Sequence, residues 1–323
     1  MLTPDSLPKP ADDGGHTPPL EPDATVVITT KNRKDDLRIA LASAVVQDGV
    51  TVEVMVVDDG STDGTSDMVR REFPTVRLET RAQSAGYIVR RNEAARLARA
   101  PFVFSIDDDA AFASPHTVRQ TLADFTSPAV GAVAIPFINV NQDARVRQRA
   151  PEDGFPHAIF SYIGTAHAIR RELFLHLGGY REVFFHQGEE MDLCIRMLDA
   201  GRFVKVGTAD PIHHFESPRR DNRRIPLYGR RNDVLFTAFN VPLPYLPVHL
   251  LATTFNGIRA GIRRHHVLWA LEGLARGYAT AVTSAARYRK PVKCSTYRAF
   301  RLLKVREIAP VSAIADALPQ PLP

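Results

Sequence analysis

The chain has 323 residues, 44% of them apolar, which is enough for one large domain or for a medium domain with a smaller appendage, and excludes global disorder. Its two cysteines, Cys194 and Cys294, lie far apart, which excludes a disulfide framework and a cysteine zinc site and fits the reducing cytoplasm. The formal net charge is +5, but residues 259–306 contain twelve Lys or Arg against one acidic residue, a charge of +11 that leaves −6 for the remainder.

The start of the chain and its longest apolar stretches bear on targeting. Residues 1–23 are rich in Pro, Asp and Gly and have neither a basic start nor an apolar central region. We therefore predict a disordered N-terminal tail and no signal peptide. No apolar run of about eighteen residues is free of helix breakers, so no transmembrane helix is expected.

Strand-like and helix-like segments alternate along the first third of the chain. Continuous apolar or β-branched runs predict four strands, at residues 25–30, 52–57, 76–79 and 102–106. The helical spacing of apolar residues predicts intervening helices, at residues 35–46, 66–73 and about 90–100. This alternation predicts an α/β fold whose strands pair in parallel.

The second half has a different pattern. A strand-like run at residues 130–138 is followed by a helix at 189–200 and a short strand at 203–206. Residues 234–258 contain no Asp, Glu, Lys or Arg but are interrupted by prolines, and a helix at 267–288 leads into a basic tail. We expect an α/β domain at residues 24–225 and a helical, basic C-terminal extension at 226–323.

Polar clusters follow three of the predicted strands. They occupy residues 30–33, 58–63 and 107–109. Ligands of α/β sheets bind beyond the carboxyl ends of the strands, and parallel strands bring those ends to one edge. We therefore expect these three clusters to lie close together.

The third cluster, Asp107-Asp108-Asp109, has the composition of a divalent-metal site. Adjacent carboxylates repel one another unless a cation lies among them, and Mg²⁺ or Mn²⁺ takes oxygen ligands that it shares with phosphates. In an extended segment Asp107 and Asp109 point the same way, and Asp108 points oppositely. The outer pair can therefore serve one ion; a solvated acidic loop is the alternative.

The second cluster, Asp58 to Thr65, resembles a calcium loop in part. That interpretation fails because the twelfth position would be Arg70, where a bidentate Glu is needed, and because the flanks are strand and helix. A strand-end carboxylate can instead accept hydrogen bonds from a nucleoside. An ordinary turn with a helix N-cap explains at least part of the pattern.

Together, Thr30-Lys31-Asn32-Arg33, the VVDDGSTDGT segment, Gly86 with Arg91-Asn92, and the three aspartates resemble the inverting family 2 glycosyltransferases in order and spacing. The resemblance implies a GT-A catalytic domain, a Rossmann-like mixed sheet with helices on both faces. It also implies Mg²⁺ or Mn²⁺ on Asp107 and Asp109. The residues it assigns to the nucleotide-sugar donor are Thr30, Asn32, Arg33, Asp58, Asp59, Gly86, Arg91, Asn92, Asp107 and Asp108.

Further downstream, the segment His186 to Leu193 resembles the family's acidic acceptor-side motif. The resemblance places Glu190 at the position of the catalytic base, with Glu189, Asp192, Gly164 and Thr165 on the acceptor side. At 100° per residue, Glu190 shares a face with apolar residues and Glu189 and Asp192 lie elsewhere. Desolvation on that face would raise the pKa of Glu190, as a general base requires. A charged first turn that complements the helix dipole is the alternative for Glu189.

A histidine after the short strand at 203–206 often supplies a third metal ligand in related enzymes. His214 fits this role better than His213 because it lies three residues before Ser217. Imidazole is a tolerable ligand for Mn²⁺. A purely structural histidine is the alternative.

The predicted function is inverting, metal-dependent transfer of a sugar from a nucleoside-diphosphate sugar to a hydroxyl of a glycan or lipid-linked acceptor. The alternatives are a non-catalytic nucleotide-sugar-binding protein and a nucleotidyltransferase. The basic extension predicts contact with an anionic membrane surface, which would place a cytoplasmic enzyme on the inner face of the plasma membrane. Packing of that extension on the core or on a second subunit is the alternative, and no nucleic acid is expected.

Overall fold

The computed structural model describes residues 21–143, 145–216 and 223–318. Most of the predicted disordered tail, residues 1–20, lies outside that part. Its last residues are described, and the backbone N–H of Asp23 donates to the carbonyl of Thr51 at 2.8 Å. The chain is therefore tied to the fold directly before its first strand.

Strands and helices alternate through the first part of the fold, as the sequence predicts. In chain order these elements are β1 (Ala24–Thr30), α1 (Lys34–Ala44), β2 (Val52–Asp58), α2 (Thr65–Glu72), β3 (Arg77–Thr80), α3 (Tyr87–Leu97) and β4 (Phe102–Asp107). β1 lies between β2 and β4 and is parallel to both, and β2 pairs in parallel with β3. The parallel pairing brings the three polar clusters to one edge.

Shorter elements follow. They are β5 (Ala110–Phe112), α4 (Thr117–Ala123), β6 (Val130–Ala134), β7 (Phe137–Asn139), β8 (Val146–Arg147), β9 (His157–Ile159), β10 (His167–Arg170), α5 (Arg171–His176), a 3₁₀ turn (Glu182–Phe184), α6 (Glu189–Asp199), β11 (Phe203–Val206) and β12 (Ile212–His214). The prediction of one strand at residues 130–138 is wrong. Pro136 has no N–H for a sheet ladder, and β6 and β7 on either side of it join different sheets.

The C-terminal part is helical, as predicted, but it also contains a short strand near its end. Its elements are α7 (Arg224–Asn240), α8 (Leu246–Arg263), α9 (Val267–Tyr288), α10 (Cys294–Arg306), β13 (Ile308–Pro310) and a 3₁₀ turn (Val311–Ala317). β13 pairs antiparallel with β9. The domain boundary near residue 225 stays a prediction, since the extension contributes a strand to the main sheet.

The main sheet is mixed and has nine strands among the described residues. Their order is β13, β9, β11, β6, β10, β4, β1, β2, β3, and β10 runs antiparallel to both β4 and β6. A smaller sheet has the order β5, β12, β7, β8. Because β5 follows directly on β4, this smaller sheet lies beside the carboxyl end of β4.

Both faces of the main sheet are buried. Alternate residues of β1 illustrate this, because Val27 belongs to one apolar cluster and Val26 and Ile28 belong to the other. The Val26 cluster is covered by α1, through Leu37 and Leu41. Continuous apolar strands are typical of sheets covered on both sides. None of the described helices has the length and apolar character needed to cross a bilayer.

Candidate active site

Three side chains with metal-binding atoms meet at the carboxyl end of β4. Asp107 closes β4, Asp109 lies before β5, and His214 closes β12, whose antiparallel pairing sets it opposite Ala110. One ligand atom from each lies within 4.8 Å of the other two. His214 Nε2 is 3.0 Å from an oxygen of Asp109. His213 lies on the opposite face of β12, and Ser217 of the predicted motif is outside the described residues.

We call Asp107, Asp109 and His214 the aspartate corner. Asp108, between the two aspartates, is held by Thr30 and Arg33. The hydroxyl of Thr30 donates to it at 2.8 Å, and Arg33 Nη1 donates to Asp108 at 3.1 Å and to Asp109 at 2.6 Å. Burial raises the pKa of Asp108 to about 7, against the opposing effect of Arg33. Burial also opposes ionisation of Asp109, but His214 and Arg33 outweigh it and hold the Asp109 pKa below its usual range. The positive charge of Arg33 thus offsets the negative charges of Asp108 and Asp109.

The turn after β2 is organised by its own two aspartates. Asp58 accepts from the backbone N–H of Ser61 at 2.9 Å and from the Ser66 hydroxyl. Asp59 accepts from the Ser84 hydroxyl, from the N–H groups of Ala85 and Gly86, and from Arg90. Burial acts to raise the pKa of Asp59, but the hydrogen bonds from these donors outweigh it and hold the pKa below its usual range. Both carboxylates therefore shape the loops that border the site.

Asn32 joins this turn to the end of β1. Its side-chain oxygen accepts from the backbone N–H of Thr62 at 2.7 Å, and its own N–H donates to the Ser61 hydroxyl at 2.8 Å. Its φ of 53° is left-handed, a conformation that asparagine tolerates better than most residues. The first two polar clusters are therefore bonded to each other, as their common edge predicts.

Arg91 connects the aspartate corner to the acidic helix. Its guanidinium is 6% exposed and donates to Asp107, and Nη1 lies 3.9 Å from an oxygen of Glu189 and 3.9 Å from an oxygen of Glu190. Burial opposes the charge on Arg91, but Asp107 and its other acidic neighbours raise its pKa above the usual value. One cation thus faces carboxylates from both sides of the site.

The first turn of α6 presents two very different carboxylates. Glu189 is fully buried and neither of its oxygens accepts a hydrogen bond, whereas the Glu190 side chain is 18% exposed. Burial raises the pKa of both, and it raises that of Glu189 well above the usual value. The sequence places Glu189 and Asp192 away from the apolar face that Glu190 shares, yet both are fully buried in the structure. Contacts with α7 contribute to this burial, because the Asn240 amide donates to Asp192.

Asp192 belongs to a buried ion-pair network. It accepts from Arg181 at 2.6 Å, from Arg196 at 3.0 Å and from the Asn240 amide at 2.8 Å. The Asp192 side chain has no solvent exposure. It therefore ties α6 to the end of α7.

Asn92 also lies behind the site. Its amide donates to the carbonyl of Tyr180 at 2.8 Å and accepts from the Tyr180 N–H at 2.9 Å. Gly179, just before, has a φ of 65°, and a Cβ there would lie 2.7 Å from the Asn92 oxygen. Asn92, which is 4% exposed, thus holds the turn at Gly178-Gly179, from which the chain leads to α6.

Gly164 and Thr165 lie between Asp107 on one side and Glu190 on the other. The Thr165 hydroxyl accepts from the backbone N–H of Asp107 at 2.9 Å. A Cβ on Gly164 would overlap an oxygen of Glu190 and lie 2.9 Å from Arg91 Nη1. Only glycine leaves the Glu190 carboxylate in its observed place.

We expect Gly164→Ala to lower turnover up to about a hundredfold, because a displacement of about 1 Å at a reacting group can cost that much. Gly229→Ala is the matched control, since a Cβ there would meet its nearest side-chain atom at an ordinary 3.8 Å. Steady-state kinetics and thermal unfolding of both variants separate a displaced carboxylate from a misfolded chain. Equal activity of the two variants would refute the assigned contact.

The sequence analysis missed the residues that hold the loop before α6. The Asn232 amide donates to the carbonyls of Phe184, His186 and Gln187 at 2.7–3.0 Å. The Tyr87 hydroxyl accepts from the N–H of Gln187 at 2.9 Å. No local pattern identifies these contacts, because Tyr87 lies about a hundred positions before the loop and Asn232 about forty-five after it.

Comparisons with known proteins agree with this arrangement. Residues 25–180 match the family model described as glycosyl transferase family 2. The pre-mycofactocin glycosyltransferase of Mycobacterium tuberculosis is 28% identical over 214 residues, which are 61% of this chain and 43% of that protein. The succinoglycan biosynthesis protein ExoO of Rhizobium meliloti is 39% identical over 89 residues, 27% of this chain and 26% of that protein. The chain thus matches less than half the length of these two relatives.

Solved structures confirm the predicted fold. A mannosyltransferase from Pyrobaculum calidifontis, described in complex with GDP-Man and Mn²⁺, superposes with a TM-score of 0.56 at 22% identity over 93% of this chain and 87% of that one. Residues 1–349 of S. aureus TarS superpose with a TM-score of 0.55 at 15% identity over 82% of this chain and 91% of that one. The α/β arrangement is therefore the GT-A fold.

Proposed function

Because residues 25–180 make up a domain of glycosyl transferase family 2, we propose that this chain is an inverting, divalent-metal-dependent glycosyltransferase. Its donor is a nucleoside-diphosphate sugar and its acceptor is a hydroxyl of a glycan or lipid-linked glycan, in the synthesis of cell-surface material. The observation that carries the proposal is the position of Arg91, which contacts Asp107 on one side and lies 3.9 Å from Glu190 on the other.

The aspartate corner fits a divalent cation by its chemistry. Asp107, Asp109 and His214 offer two carboxylates and one imidazole within 4.8 Å of one another. Carboxylates are the preferred ligands of Mg²⁺ and Mn²⁺, and the imidazole is acceptable to Mn²⁺. Such an ion would neutralise charge on the diphosphate leaving group. The Mn²⁺ described with the Pyrobaculum mannosyltransferase supports this choice.

The remaining steps fall to the protein's own side chains. Glu190 accepts the proton of the acceptor hydroxyl as its oxygen attacks the anomeric carbon. Arg91 lies beside that carboxylate and stabilises it in the ionised form that a base requires. With Glu190 as the one base and no side chain assigned as a nucleophile, the reaction is a direct displacement, hence an inversion; glycoside hydrolysis uses two carboxylates that flank the bond instead.

A panel of nucleotide sugars tests the proposal. The purified chain is incubated with UDP- and GDP-sugars, with Mg²⁺, Mn²⁺ or EDTA, and release of nucleoside diphosphate is measured. We expect one donor to give release that EDTA abolishes. Binding of a donor without release by the wild-type chain would favour the non-catalytic alternative.

The outer face of α8 and α9 supports a peripheral membrane location. Along α8, Val248, Leu251 and Phe255 are 71%, 72% and 66% exposed, and they share one face by their spacing. Val282 of α9 is 79% exposed. Arginines lie at the turn between these helices, at residues 263 and 264, and at the end of α9, at residue 287. Apolar residues flanked by cations are typical of helices that lie in an anionic membrane surface.

We expect the chain to float with phosphatidylglycerol-containing vesicles at low salt and to be released as salt screens the arginines. Leu251→Glu with Phe255→Glu should abolish flotation, because two charges would enter the headgroup region. Ile39→Glu is the control, since Ile39 is 56% exposed on α1, outside this face. Flotation that is unchanged in the double variant, or absent in the wild type, would exclude membrane attachment by this face.

A further inference from the structure

A small cavity lies inside the fold beside Arg91, between the main sheet and α3. Its walls come from β1, β4 and β10 of the sheet, from α3, and from Phe174 and Tyr180. Every residue that lines it is buried, so the cavity belongs to the interior. The space in it available to a water molecule is about 20 Å³, and one water molecule needs about 10–15 Å³. The cavity therefore has the size of a site for a single water.

Three of the side chains that line the cavity have a polar atom in need of a partner. These atoms are Arg91 Nε, Ser105 Oγ and His167 Nδ1, and none of them makes a hydrogen bond within the part of the chain that the structure describes. The three residues are 6%, 5% and 2% exposed. Buried polar atoms in native proteins are almost always bonded to protein or to ordered water, because an unpaired one is costly. Three such atoms around a water-sized cavity point to a bound water.

The register of the main sheet sets two of these side chains next to each other. Ser105 of β4 is the direct antiparallel partner of His167 of β10. Residues directly opposite in such a pair have their side chains on the same face, about 5 Å apart. The neighbours of this pair along the same row are apolar, Val27 on one side and Ala134 on the other. Ser105 and His167 are thus adjacent polar residues on an apolar face, and one water can reach both.

Arg91 makes its other contacts through the far end of its guanidinium. Its Nη2 donates to Asp107, and its Nη1 lies 3.9 Å from an oxygen of Glu190. The guanidinium carbon lies 4.9 Å from the centroid of the Tyr87 ring. Because the guanidinium is rigid and planar, a partner that holds Nε also fixes the positions of both Nη atoms. A water on Nε would therefore hold the cation in place between Asp107 and Glu190.

Water matches the hydrogen-bonding character of all three atoms. The Nε–H of Arg91 can only donate, whereas the Ser105 hydroxyl donates and accepts. Burial lowers the pKa of His167 to about 3, and the charge of Arg91 also lowers it, so the ring is neutral. Its Nε2 lies 3.2 Å from the Tyr180 hydroxyl, which leaves Nδ1 as a donor or an acceptor. A water molecule makes two to four hydrogen bonds and serves Nδ1 in either tautomer.

We propose that Ser105 and His167 are positioning residues for Arg91 and act through one water molecule bound in this cavity. The water accepts from the Nε–H of Arg91 and is held in turn by the Ser105 hydroxyl and His167 Nδ1. An effect on turnover rests on the proposed glycosyltransferase function, whereas the water site and the position of Arg91 do not.

High-resolution crystal structures of the wild-type chain and of Ser105→Val test the site. The wild type should show one ordered water within hydrogen-bond distance of all three atoms. Valine suits a buried strand but replaces the hydroxyl by methyl groups, so Ser105→Val should exclude the water and displace the Arg91 guanidinium. Ser105→Ala is the milder variant, and in it the water should lose order. A wild-type cavity without the water, or an unmoved guanidinium in Ser105→Val, overturns the proposal.

Kinetics of the same variants test the consequence for turnover. Ser105→Val should lower kcat by up to about a hundredfold, because a displacement of about 1 Å near the reacting atoms can cost that much. Thr121→Val is the matched control, since it also loses a buried hydroxyl, one that donates to the Thr117 carbonyl at 2.8 Å within α4. It should leave kcat unchanged.

Equal kcat in Ser105→Val and Thr121→Val would overturn the positioning role. Thermal unfolding of both variants checks that each is folded at the assay temperature. A chain that shows the water and the displaced guanidinium, but releases no nucleoside diphosphate from any donor, would refute the proposed activity alone.

Discussion

Replacing Glu190 with glutamine should lower kcat about a hundredfold to ten-thousandfold, the usual contribution of a general base. Glutamine keeps the size of the side chain beside Gly164 and Arg91 but cannot accept the proton of the acceptor hydroxyl. Binding of the nucleotide sugar should persist, because the aspartate corner is unchanged. Rapid-quench kinetics with the donor identified in the panel, together with donor titration, separate the two effects.

Glu189→Gln supplies the comparison for this result. Burial raises the pKa of Glu189 well above its usual value, which favours the uncharged carboxyl, and glutamine imitates that form. We expect a much smaller loss of kcat than for Glu190→Gln. Equal losses in the two variants would show that Glu190 has no special role as base.

The pH dependence of turnover follows from the same carboxylate. Burial raises the pKa of Glu190, with Arg91 opposing that effect, so its proton is lost at a higher pH than from an exposed glutamate. Only the ionised form accepts a proton. Activity should therefore fall as the pH is lowered through this raised pKa, and kcat of the Glu190→Gln variant should lack that dependence.

Replacing Asp192 with alanine should destabilise the fold by about 3–5 kcal/mol, the cost of leaving buried charges without a partner. Arg181 and Arg196 both donate to this carboxylate, and their side chains are 8% and 11% exposed. Urea unfolding, followed by circular dichroism, measures the loss. Asp67→Ala should cost at most about 1 kcal/mol, because the Asp67–Arg70 pair on α2 is 81% and 58% exposed.

A smaller loss of stability for Asp192→Asn than for Asp192→Ala would separate the contribution of hydrogen bonding from that of charge. Asparagine can still accept from one arginine, but it does not neutralise the pair. If Asp192→Ala were as stable as Asp67→Ala, the network would not join α6 to the C-terminal helices. In that case the position of Glu190 would depend on other contacts, including those that Asn232 and Tyr87 make with the loop before α6.

The first half of the fold could be predicted because each of its strands and helices is marked by a pattern within its own segment of sequence. β1, β2 and β4 are continuous apolar runs, and parallel pairing then fixes which polar clusters meet. The aspartate corner follows from the same rule, with His214 brought in by the pairing of β12 with β5. The assignment of His214 also drew on the resemblance to known enzymes, since a short strand alone does not identify its partner.

The other features depend on contacts between distant segments. The burial of Glu189 and Asp192 was not predicted because helical spacing shows which residues share a face, but not whether α7 covers the second face. The break at Pro136 was missed because the apolar run continues on both sides of the proline. The strand β13 is only Ile308–Pro310, too short to give a periodic signal.

The most direct test of the metal-centred account is calorimetric titration of UDP and of GDP with Mn²⁺ present or removed by EDTA. The wild-type chain should bind at least one diphosphate only when the ion is present, and Asp109→Asn should lose that binding although Arg33 and Asp108 remain. Diphosphate binding that is equally tight in EDTA, or unchanged in Asp109→Asn, would contradict the assignment of the ion to this corner.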